Sequence, residues 1–192
     1  MSECSRSKEK GKIKNQIYWM VMLAIGLFII GITLIIVLRK PTTDNILLTT
    51  TPIEVNFPAP EITLIDLNSK SVSLNDYPKT IILVNNWATW CPPCKAEMPT
   101  LQQYFQKHYK QGFVVIAIES GESITEVTKF VHDYSITFPV WIDLKGLALE
   151  KFNNWDLPSS YVIDRSGTIR LSWTGPINMQ MLEKYVTPLL EQ

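Results

Sequence analysis

Hydrophobic and polar positions divide the chain into one long apolar segment followed by several short apolar runs. Residues 17–38 are apolar throughout apart from Thr33. As a helix this segment would be roughly 33 Å long, about the thickness of the hydrocarbon core of a bilayer. The pattern therefore predicts one transmembrane helix over residues 17–38 that contacts the lipid bilayer.

The short runs after residue 58 alternate with amphipathic segments, which predicts strands alternating with helices. Strands are expected over residues 63–67, 71–74, 80–88, 113–118, 138–142, 160–163 and 168–173. Helices are expected from the segment after Cys91 to about Tyr109, from the capping box at Ser123 to Tyr134, over residues 146–152, and after Asn178, where Pro188 should shorten the helix. The first two strands flank a turn signal and should form a hairpin. The predicted class is α/β, with a mixed central sheet flanked by helices.

Changes in composition predict four regions along the chain. These are a basic tail (residues 1–16), the transmembrane helix (17–38), a linker rich in Thr, Pro and Asn (39–58) and a folded domain (59–192). Five basic residues precede the apolar segment and two follow it, so the tail, with the free thiol of Cys4, should be cytosolic and the domain extracytoplasmic. A cleaved signal peptide is the competing interpretation, but its apolar region would be shorter and would end in small residues.

Composition also limits the class of partner. The chain has 18 basic and 18 acidic residues, so its net charge is zero. Nucleic-acid-binding domains usually present a basic surface. No nucleic acid is therefore expected among the partners.

The motif with the clearest chemistry is Cys91-Pro92-Pro93-Cys94, which follows the predicted strand at residues 80–88. Two thiols one helical turn apart can form and open a disulfide with little movement of the backbone. At a helix N-terminus, free N–H groups and the helix dipole stabilise the thiolate, which is the species that attacks disulfides. The motif predicts a redox-active disulfide between Cys91 and Cys94 and thiol–disulfide exchange.

Two other interpretations of the cysteine pair are less favoured. A structural zinc site needs four ligands, and the only other candidates are Cys4, His108 and His132. A purely structural disulfide that closes so short a loop would add little stability. No metal and no cofactor are therefore expected.

The order of residues in the motif suggests a role for each group. Cys91, at the helix start and expected to be exposed, should attack the partner disulfide, and Cys94, one turn deeper, should resolve the mixed disulfide. Glu97 lies on the same helical face as Cys94 and could accept its proton. The alternative is that Glu97 is an ordinary solvated residue. Pro92 and Pro93 remove two N–H donors from the first turn, which would limit stabilisation of the Cys91 thiolate.

Four segments together resemble the membrane-anchored TlpA/ResA group of thioredoxin-like proteins, in the right order from about residue 57 to the end. They are the stretch from Asn85 to Pro99, Phe138-Pro139-Val140, Leu157-Pro158-Ser159-Ser160 and Ile163-Asp164-Arg165-Ser166-Gly167. The resemblance implies a thioredoxin fold with a helix and strand inserted over residues 122–143. It also implies a single-pass protein of the bacterial cell membrane that reduces disulfides outside the cytosol. Some members prepare apocytochrome c for haem attachment, and a membrane thiol carrier would supply the electrons.

The resemblance also implies roles for individual residues. Glu97 matches a glutamate that lies near the cysteines in the family, and Pro158 matches a cis-proline that faces the disulfide. The backbone at Leu157 would pair with an extended partner segment, beside a docking surface formed by Trp90, Pro92 and Pro93. Asn85 stands where ordinary thioredoxins carry a buried Asp, which leaves Glu97 as the only nearby acid. Asn86 stands where an aromatic residue is more frequent, so packing of this strand should differ.

The sequence leaves several functions open. A reductase of partner disulfides is favoured, and an oxidant or isomerase that uses the same cysteines is the first alternative. A non-catalytic binding module with a structural disulfide is another. A peroxidase of the peroxiredoxin type is disfavoured, because the Thr-x-x-Cys context of a peroxidatic cysteine is replaced by Trp-Cys-Pro-Pro-Cys.

Overall fold

The computed structural model describes residues 19–32 and 50–191. The chain divides into two units, one ending at Asn45 and the other beginning at Ile46. In the first, residues 19–32 form helix α1, whose large apolar side chains are mostly exposed. No helix within the described ranges is both long and apolar enough to cross a bilayer. The remainder of the predicted transmembrane segment, the basic tail and the first part of the linker lie outside the described residues.

The second unit is built on an eight-stranded mixed sheet with the order β1-β8-β7-β4-β5-β6-β2-β3. β4, β5 and β6 are parallel, and every other neighbouring pair is antiparallel. The strands are β1 (Ile53–Pro58), β2 (Thr63–Asp66), β3 (Ser71–Ser73), β4 (Ile81–Trp87), β5 (Phe113–Ser120), β6 (Val140–Asp143), β7 (Ser159–Ile163) and β8 (Thr168–Thr174). The predicted mixed sheet and the β2–β3 hairpin are confirmed.

The helices of this unit connect the strands. They are α2 (Pro92–His108), α3 (Ile124–Asp133), α4 (Leu147–Lys151), α5 (Met179–Tyr185) and α6 (Thr187–Leu190), with 3-10 turns at Leu74–Asp76 and Tyr109–Gln111. α3 and β6 form the predicted insert, and the predicted capping box of α3 is present at Ser123 and Glu126. The predicted final helix is divided in two, because Pro188 has no N–H to continue α5 and instead lies in the first turn of α6.

Both faces of the sheet are covered. Every residue of β4 is buried, as expected for a central strand flanked on both sides. One face packs its apolar side chains against α2, α3 and α5, through Leu101, Val127 and Leu182 among others. The other face packs against α4 and the segment before β2, through Ala148 and Ile62. The carboxyl ends of β4, β5 and β6 meet at one edge, where the turn that carries the cysteines begins.

The structure corrects the predicted linker. Residues 53–58, assigned to the linker from composition, form β1 and pair antiparallel with β8. The strand lies at the edge of the sheet and most of its side chains are exposed, so it lacks the apolar periodicity by which strands are predicted. Backbone pairing, rather than a buried face, defines this strand.

Candidate active site

The turn after β4 places Cys91 at the start of α2. Cys91 is the N-cap of the helix, and its sulfur accepts a hydrogen bond from the Cys94 N–H at 3.3 Å. Pro92 and Pro93 occupy the first helical positions, where proline is favoured because their N–H groups would have no partner in the helix. The first N–H available in α2 therefore points at the Cys91 sulfur. This confirms the predicted position of Cys91 at a helix N-terminus and supplies a donor despite the two prolines.

Cys91 and Cys94 form a disulfide, with their Cα atoms 5.3 Å apart. The expectation that Cys91 is exposed is wrong for this oxidised form, because Cys91 is 3% exposed and Cys94 fully buried. Both belong to the apolar cluster that includes Trp87 and Met98, and the bond to Cys94 holds Cys91 against it. Trp90, directly before Cys91, is 65% exposed. The surface beside the disulfide is therefore aromatic, while the sulfur atoms are covered.

Glu97 lies one turn after Cys94 on α2 and is 2% exposed. The alternative of a solvated Glu97 is therefore wrong. Its Oε1 accepts from Asn85 Nδ2 at 2.8 Å, and its Oε2 accepts from the N–H of Ile177 at 3.0 Å. Burial raises the pKa of Glu97 to about 8, and the two hydrogen bonds oppose this rise only in part. At neutral pH Glu97 is therefore a largely neutral carboxyl group that can give up or regain a proton near the range in which thiols titrate.

Asn85 and Asn86 explain how the strand before the cysteines holds this site. The Asn85 side chain, fully buried, donates both to Glu97 and to Ser160 Oγ on β7, the latter at 3.0 Å. The Asn86 side chain donates to Ser159 Oγ at 3.2 Å. Two neighbouring amides of β4 thus bind two neighbouring hydroxyls of β7. Packing therefore differs at Asn86, as expected, because the amide makes a hydrogen bond where an aromatic ring would make apolar contact.

The Leu157–Pro158 peptide bond is cis, as the family resemblance implies. Pro158 is buried and directly precedes β7, the antiparallel neighbour of β4, and its carbonyl accepts from the N–H of Gly175 at 2.8 Å. Leu157 and Pro93 are half-buried, and Pro92 is exposed. Binding of a partner by Trp90, Pro92, Pro93, Leu157 and Pro158 stays a prediction.

Two acids that the sequence analysis missed lie at the same edge of the sheet. Glu119, near the end of β5, is fully buried, and its Oε2 accepts from the N–H of Glu122 at 3.1 Å. Glu122 in turn accepts from the N–H of Thr89 at 2.7 Å and from the Thr89 hydroxyl. The prediction that Glu97 is the only nearby acid is therefore wrong. The signal that could have revealed Glu119 is an acidic residue directly at the carboxyl end of an uninterrupted apolar strand.

Trp155 is another residue that the sequence analysis missed. It lies three residues before Pro158, is 66% exposed, and packs its ring against Gly146 at the start of α4. Within residues 19–32 and 50–191, no group of three or more His, Cys, Asp or Glu side chains is arranged to hold a metal ion. The described site contains two sulfurs, buried carboxyl groups and an exposed aromatic surface.

Comparison with known proteins agrees with this geometry. Residues 55–172 match the AhpC/TSA family. The thiol-disulfide oxidoreductase ResA of Geobacillus kaustophilus is 32% identical over 136 residues, which is 71% of this chain and 78% of that protein.

Two solved structures extend the comparison to the fold. A thioredoxin family thiol:disulfide interchange protein from Chlorobium tepidum superimposes with a TM-score of 0.64 at 26% identity, covering 72% of this chain and 99% of that chain. A DsbF homologue from Corynebacterium diphtheriae gives a TM-score of 0.67 at 26% identity, covering 79% of this chain and 97% of that chain. The second unit therefore has the thioredoxin fold, and the chain belongs to the AhpC/TSA family as a ResA-type thiol-disulfide oxidoreductase.

Proposed function

We propose that this protein is a membrane-tethered, extracytoplasmic reductase of disulfides in partner proteins. The observation that carries the proposal is Glu97, a buried carboxyl group one turn after Cys94 whose pKa is raised to about 8 by burial. When Glu97 is ionised, its carboxylate disfavours the thiolates of the nearby dithiol, and a dithiol whose thiolates are disfavoured is a stronger reductant. The same group can take the proton that Cys94 must lose before it reacts.

The proposed reaction transfers two electrons from the Cys91/Cys94 dithiol to the partner. The Cys91 thiolate attacks one sulfur of the partner disulfide, forms a mixed disulfide and releases the other partner sulfur as a thiolate. Cys94 then loses its proton to Glu97, attacks the Cys91 sulfur, closes the Cys91–Cys94 disulfide and releases the second partner sulfur. A membrane thiol carrier is proposed to reduce the Cys91–Cys94 disulfide again.

A trapping experiment tests the reductase. In a Cys4→Ser background, Cys94→Ser should accumulate mixed disulfides through Cys91 that dithiothreitol releases, because the resolving thiol is missing. The matched control, Cys91→Ser with Cys94→Ser, should form none. If the Cys94→Ser protein formed no adducts that dithiothreitol releases, the exchange mechanism would be wrong, and full activity of Cys91→Ala in cells would favour a binding module with a structural disulfide.

The reduction potential separates the reductase from an oxidant or isomerase. Equilibration of the Cys91–Cys94 couple in redox buffers should give a value nearer to that of thioredoxin, about −270 mV, than to that of the strong oxidant DsbA, about −120 mV. Measured above pH 8, where Glu97 is ionised, Glu97→Gln should raise the potential, because a neutral amide does not disfavour the thiolates as a carboxylate does. A strongly oxidising value in the unaltered protein would identify an oxidant.

The proposed partners are extracytoplasmic proteins with disulfides, with apocytochrome c as the specific candidate. Haem attachment uses a Cys-x-x-Cys-His segment, so the test compares reduction of an oxidised peptide of this pattern with one in which the His is replaced. Faster reduction of the first peptide would support the candidate. Equal rates would point to a broader set of disulfides.

Tethering to the bacterial cell membrane is proposed from the apolar residues 17–38 and the basic residues before them. In intact spheroplasts, a membrane-impermeant maleimide should leave Cys4 unlabelled, and added protease should digest the domain that carries Cys91. After lysis, Cys4 should be labelled. Labelling of Cys4 before lysis would reverse the proposed orientation, and recovery of the chain without its first 38 residues would identify a cleaved signal peptide.

A further inference from the structure

Glu119 is a buried acid for which the proposed reaction has no use. It lies at the carboxyl end of β5, in parallel register with Trp87, the last residue of β4 before the turn that carries Cys91. On its other side it is in register with Ile142 of β6. The residue is fully buried. A carboxyl group in such a position costs free energy unless it is neutral or fully hydrogen-bonded.

The hydrogen bonds of Glu119 indicate which form is present. Its Oε2 accepts from the N–H of Glu122, whereas its Oε1 accepts no hydrogen bond from any described residue. An ionised carboxylate would leave Oε1 buried without a donor. A protonated Glu119 instead becomes a donor, and the Glu122 carboxylate, with which the Glu119 side chain interacts, can accept from it. The neutral form therefore avoids a buried charge that lacks a donor on Oε1.

Glu122 connects this pair to the turn before Cys91. Its carboxylate accepts from the N–H of Thr89 at 2.7 Å and from the Thr89 hydroxyl. These bonds join residues 33 positions apart in the chain. The turn has few other anchors within the described residues, one being the bond from the Cys91 N–H to the Ala88 carbonyl at 3.2 Å. The position of Glu122 thus contributes directly to the position of Thr89, two residues before Cys91.

The charges around Glu119 favour its neutral form. Burial, followed by the hydrogen bond with Glu122, raises the pKa of Glu119 to about 8, and the negative charges of Glu122 and Asp143 add to the rise. Asp143, on β6, accepts three backbone N–H bonds, one from the turn before α4 and two from the start of α4. The pKa of Glu122 is lowered despite its partial burial, chiefly by the Thr89 bonds and less by the charge of Lys95 on the α2 side. One proton is thus held by Glu119 beside an ionised Glu122.

We propose that Glu119 is a positioning residue for the Cys91–Cys94 disulfide. In its neutral form it donates a hydrogen bond to Glu122 and so fixes the carboxylate that holds Thr89. Loss of the Glu119 proton loosens the turn before Cys91. When Glu119 ionises, two carboxylates face each other without a proton between them, and their repulsion displaces Glu122 from Thr89. Because the sulfurs are covered in the oxidised form, a looser turn exposes the disulfide. The inference rests on the proposed function only in taking this disulfide as the reacting bond.

The first test follows the Thr89 amide in the oxidised full-length protein, where neither Cys91 nor Cys94 titrates. The protein, labelled with ¹⁵N-threonine in detergent micelles, is titrated from pH 6 to pH 9.5 by NMR, and the Thr89 signal is identified by its loss in Thr89→Ser. We expect a step in its chemical shift with a midpoint near pH 8. Glu119→Gln should abolish the step, because its amide donates to Glu122 at every pH, whereas Glu97→Gln should retain it.

The outcomes of this titration are decisive in both directions. A step that persists in Glu119→Gln, or that disappears in Glu97→Gln, would overturn the proposal, as would a Thr89 signal that does not change across this range in the unaltered protein. If Glu119→Gln does not fold, Glu122→Gln provides the second variant. It removes the negative charge that raises the pKa of Glu119, and the Thr89 step should then move downward in pH or vanish.

The second test measures reactivity. The rate at which a water-soluble phosphine reduces the disulfide is measured for the unaltered protein and for Glu119→Gln. Dividing the rate of the unaltered protein by that of the variant removes the pH dependence of the reagent. The ratio should be close to one below pH 7 and rise about twofold or more above pH 8.5. A constant ratio would contradict the proposal. Failure of the trapping experiment would instead refute the reductase function and would leave the Thr89 titration unaffected.

Discussion

Glu97 and Glu119 are buried carboxyl groups on different elements, and burial raises the pKa of each to about 8. Glu97 is held by donors from other elements, Asn85 and the backbone of Ile177, whereas Glu119 is held by the backbone of Glu122, three residues later. Single side chains thus make the site sensitive to pH in a range where exposed carboxyl groups are already ionised. Their protonation also determines how stability changes with pH.

Glu97→Gln should flatten the loss of stability between about pH 4.5 and pH 8. The pKa of Glu97 rises from 4.5 to about 8 on folding, so the folded state binds more protons than the unfolded state in this interval. The stabilisation by neutral Glu97 is fully present below pH 4.5 and is lost as the pH rises through 8. For one group, the free energy of unfolding changes by at most about 1.4 kcal/mol per pH unit. Urea unfolding of the oxidised protein at several pH values measures it.

The control for this measurement is Glu61→Gln, which changes an exposed carboxyl group. It should leave the slope unchanged. Glu119→Gln should reduce the slope by a similar amount, and the double variant by more than either single one. Equal slopes in Glu97→Gln and the unaltered protein would mean that Glu97 is ionised in the folded state.

Trp90→Ala and Trp155→Ala should each raise KM for a protein disulfide about tenfold, with little effect on reduction of the protein by a small dithiol. Both rings are about two-thirds exposed, one directly before Cys91 and one three residues before Pro158, and exposed aromatic residues are frequent anchors in interfaces. Tyr109→Ala is the control, because this exposed ring lies beyond the opposite end of α2. Equal KM values for all three variants would exclude the two tryptophans from partner binding.

At the scale of elements, the beginnings of helices determine the site more than their middles do. α2 begins at Cys91, where two prolines leave the Cys94 N–H as the donor to sulfur. α3 begins at Ser123, directly after Glu122, with a reciprocal capping box between Ser123 and Glu126. Because Glu122 binds Thr89, the cap of α3 also limits where the turn before Cys91 can lie.

Ser123→Ala should lower the free energy of unfolding by about 1 kcal/mol, the usual cost of removing a side-chain N-cap. The hydroxyl accepts from the Glu126 N–H at 3.4 Å and donates to the Glu126 carboxylate at 2.8 Å. Thr128→Ala, at an exposed position in the same helix, should not destabilise the protein, since alanine favours helix formation. Denaturant unfolding measures both variants, and a Ser123→Ala protein as stable as Thr128→Ala would show that the cap contributes nothing.

At the scale of the second unit, the sheet order places the site at its centre. β4 lies between β5 and β7, so three adjacent strands carry the site: Cys91 follows β4, Glu119 lies near the end of β5 and Pro158 precedes β7. The hairpin β2–β3 extends one side of the sheet through β6, and β1 closes the other side on β8. Outer strands of this kind protect the backbone of the strands that carry the chemistry.

A chain that begins at Thr50 should therefore be more stable than one that begins at Ala59, by an amount on the order of 2 kcal/mol. The shorter chain loses the pairing of β1 with β8, the packing of Val55 and the bond from the Thr50 hydroxyl to the Thr174 carbonyl at 2.8 Å. Thermal unfolding of the two oxidised proteins measures the difference. Equal midpoints would mean that β1 adds no stability and that the predicted boundary at residue 59 is adequate.

Much of the fold follows from local patterns. The apolar runs at β4 and β5, the capping box of α3, the Asn178 cap of α5 and the turn signal between β2 and β3 are each encoded within a few adjacent residues. The edge strand β1 is not, because its exposed side chains carry no periodic signal and its partner lies more than 100 residues away. The burial of Cys91 was also missed, because it depends on packing from several elements rather than on adjacent residues.

The sequence by itself determined the chemistry of the sulfurs: two cysteines one turn apart, after a buried strand and at a helix start, have few other uses. Only the tertiary structure showed that Glu119 and Glu122 lie beside the turn that carries them, in addition to Glu97. The order of the strands brings Glu119 beside Trp87 and lets Glu122 bind Thr89, and burial rather than residue type sets the protonation of Glu97 and Glu119. Spacing along a chain specifies local contacts, whereas desolvation depends on everything that packs around a group.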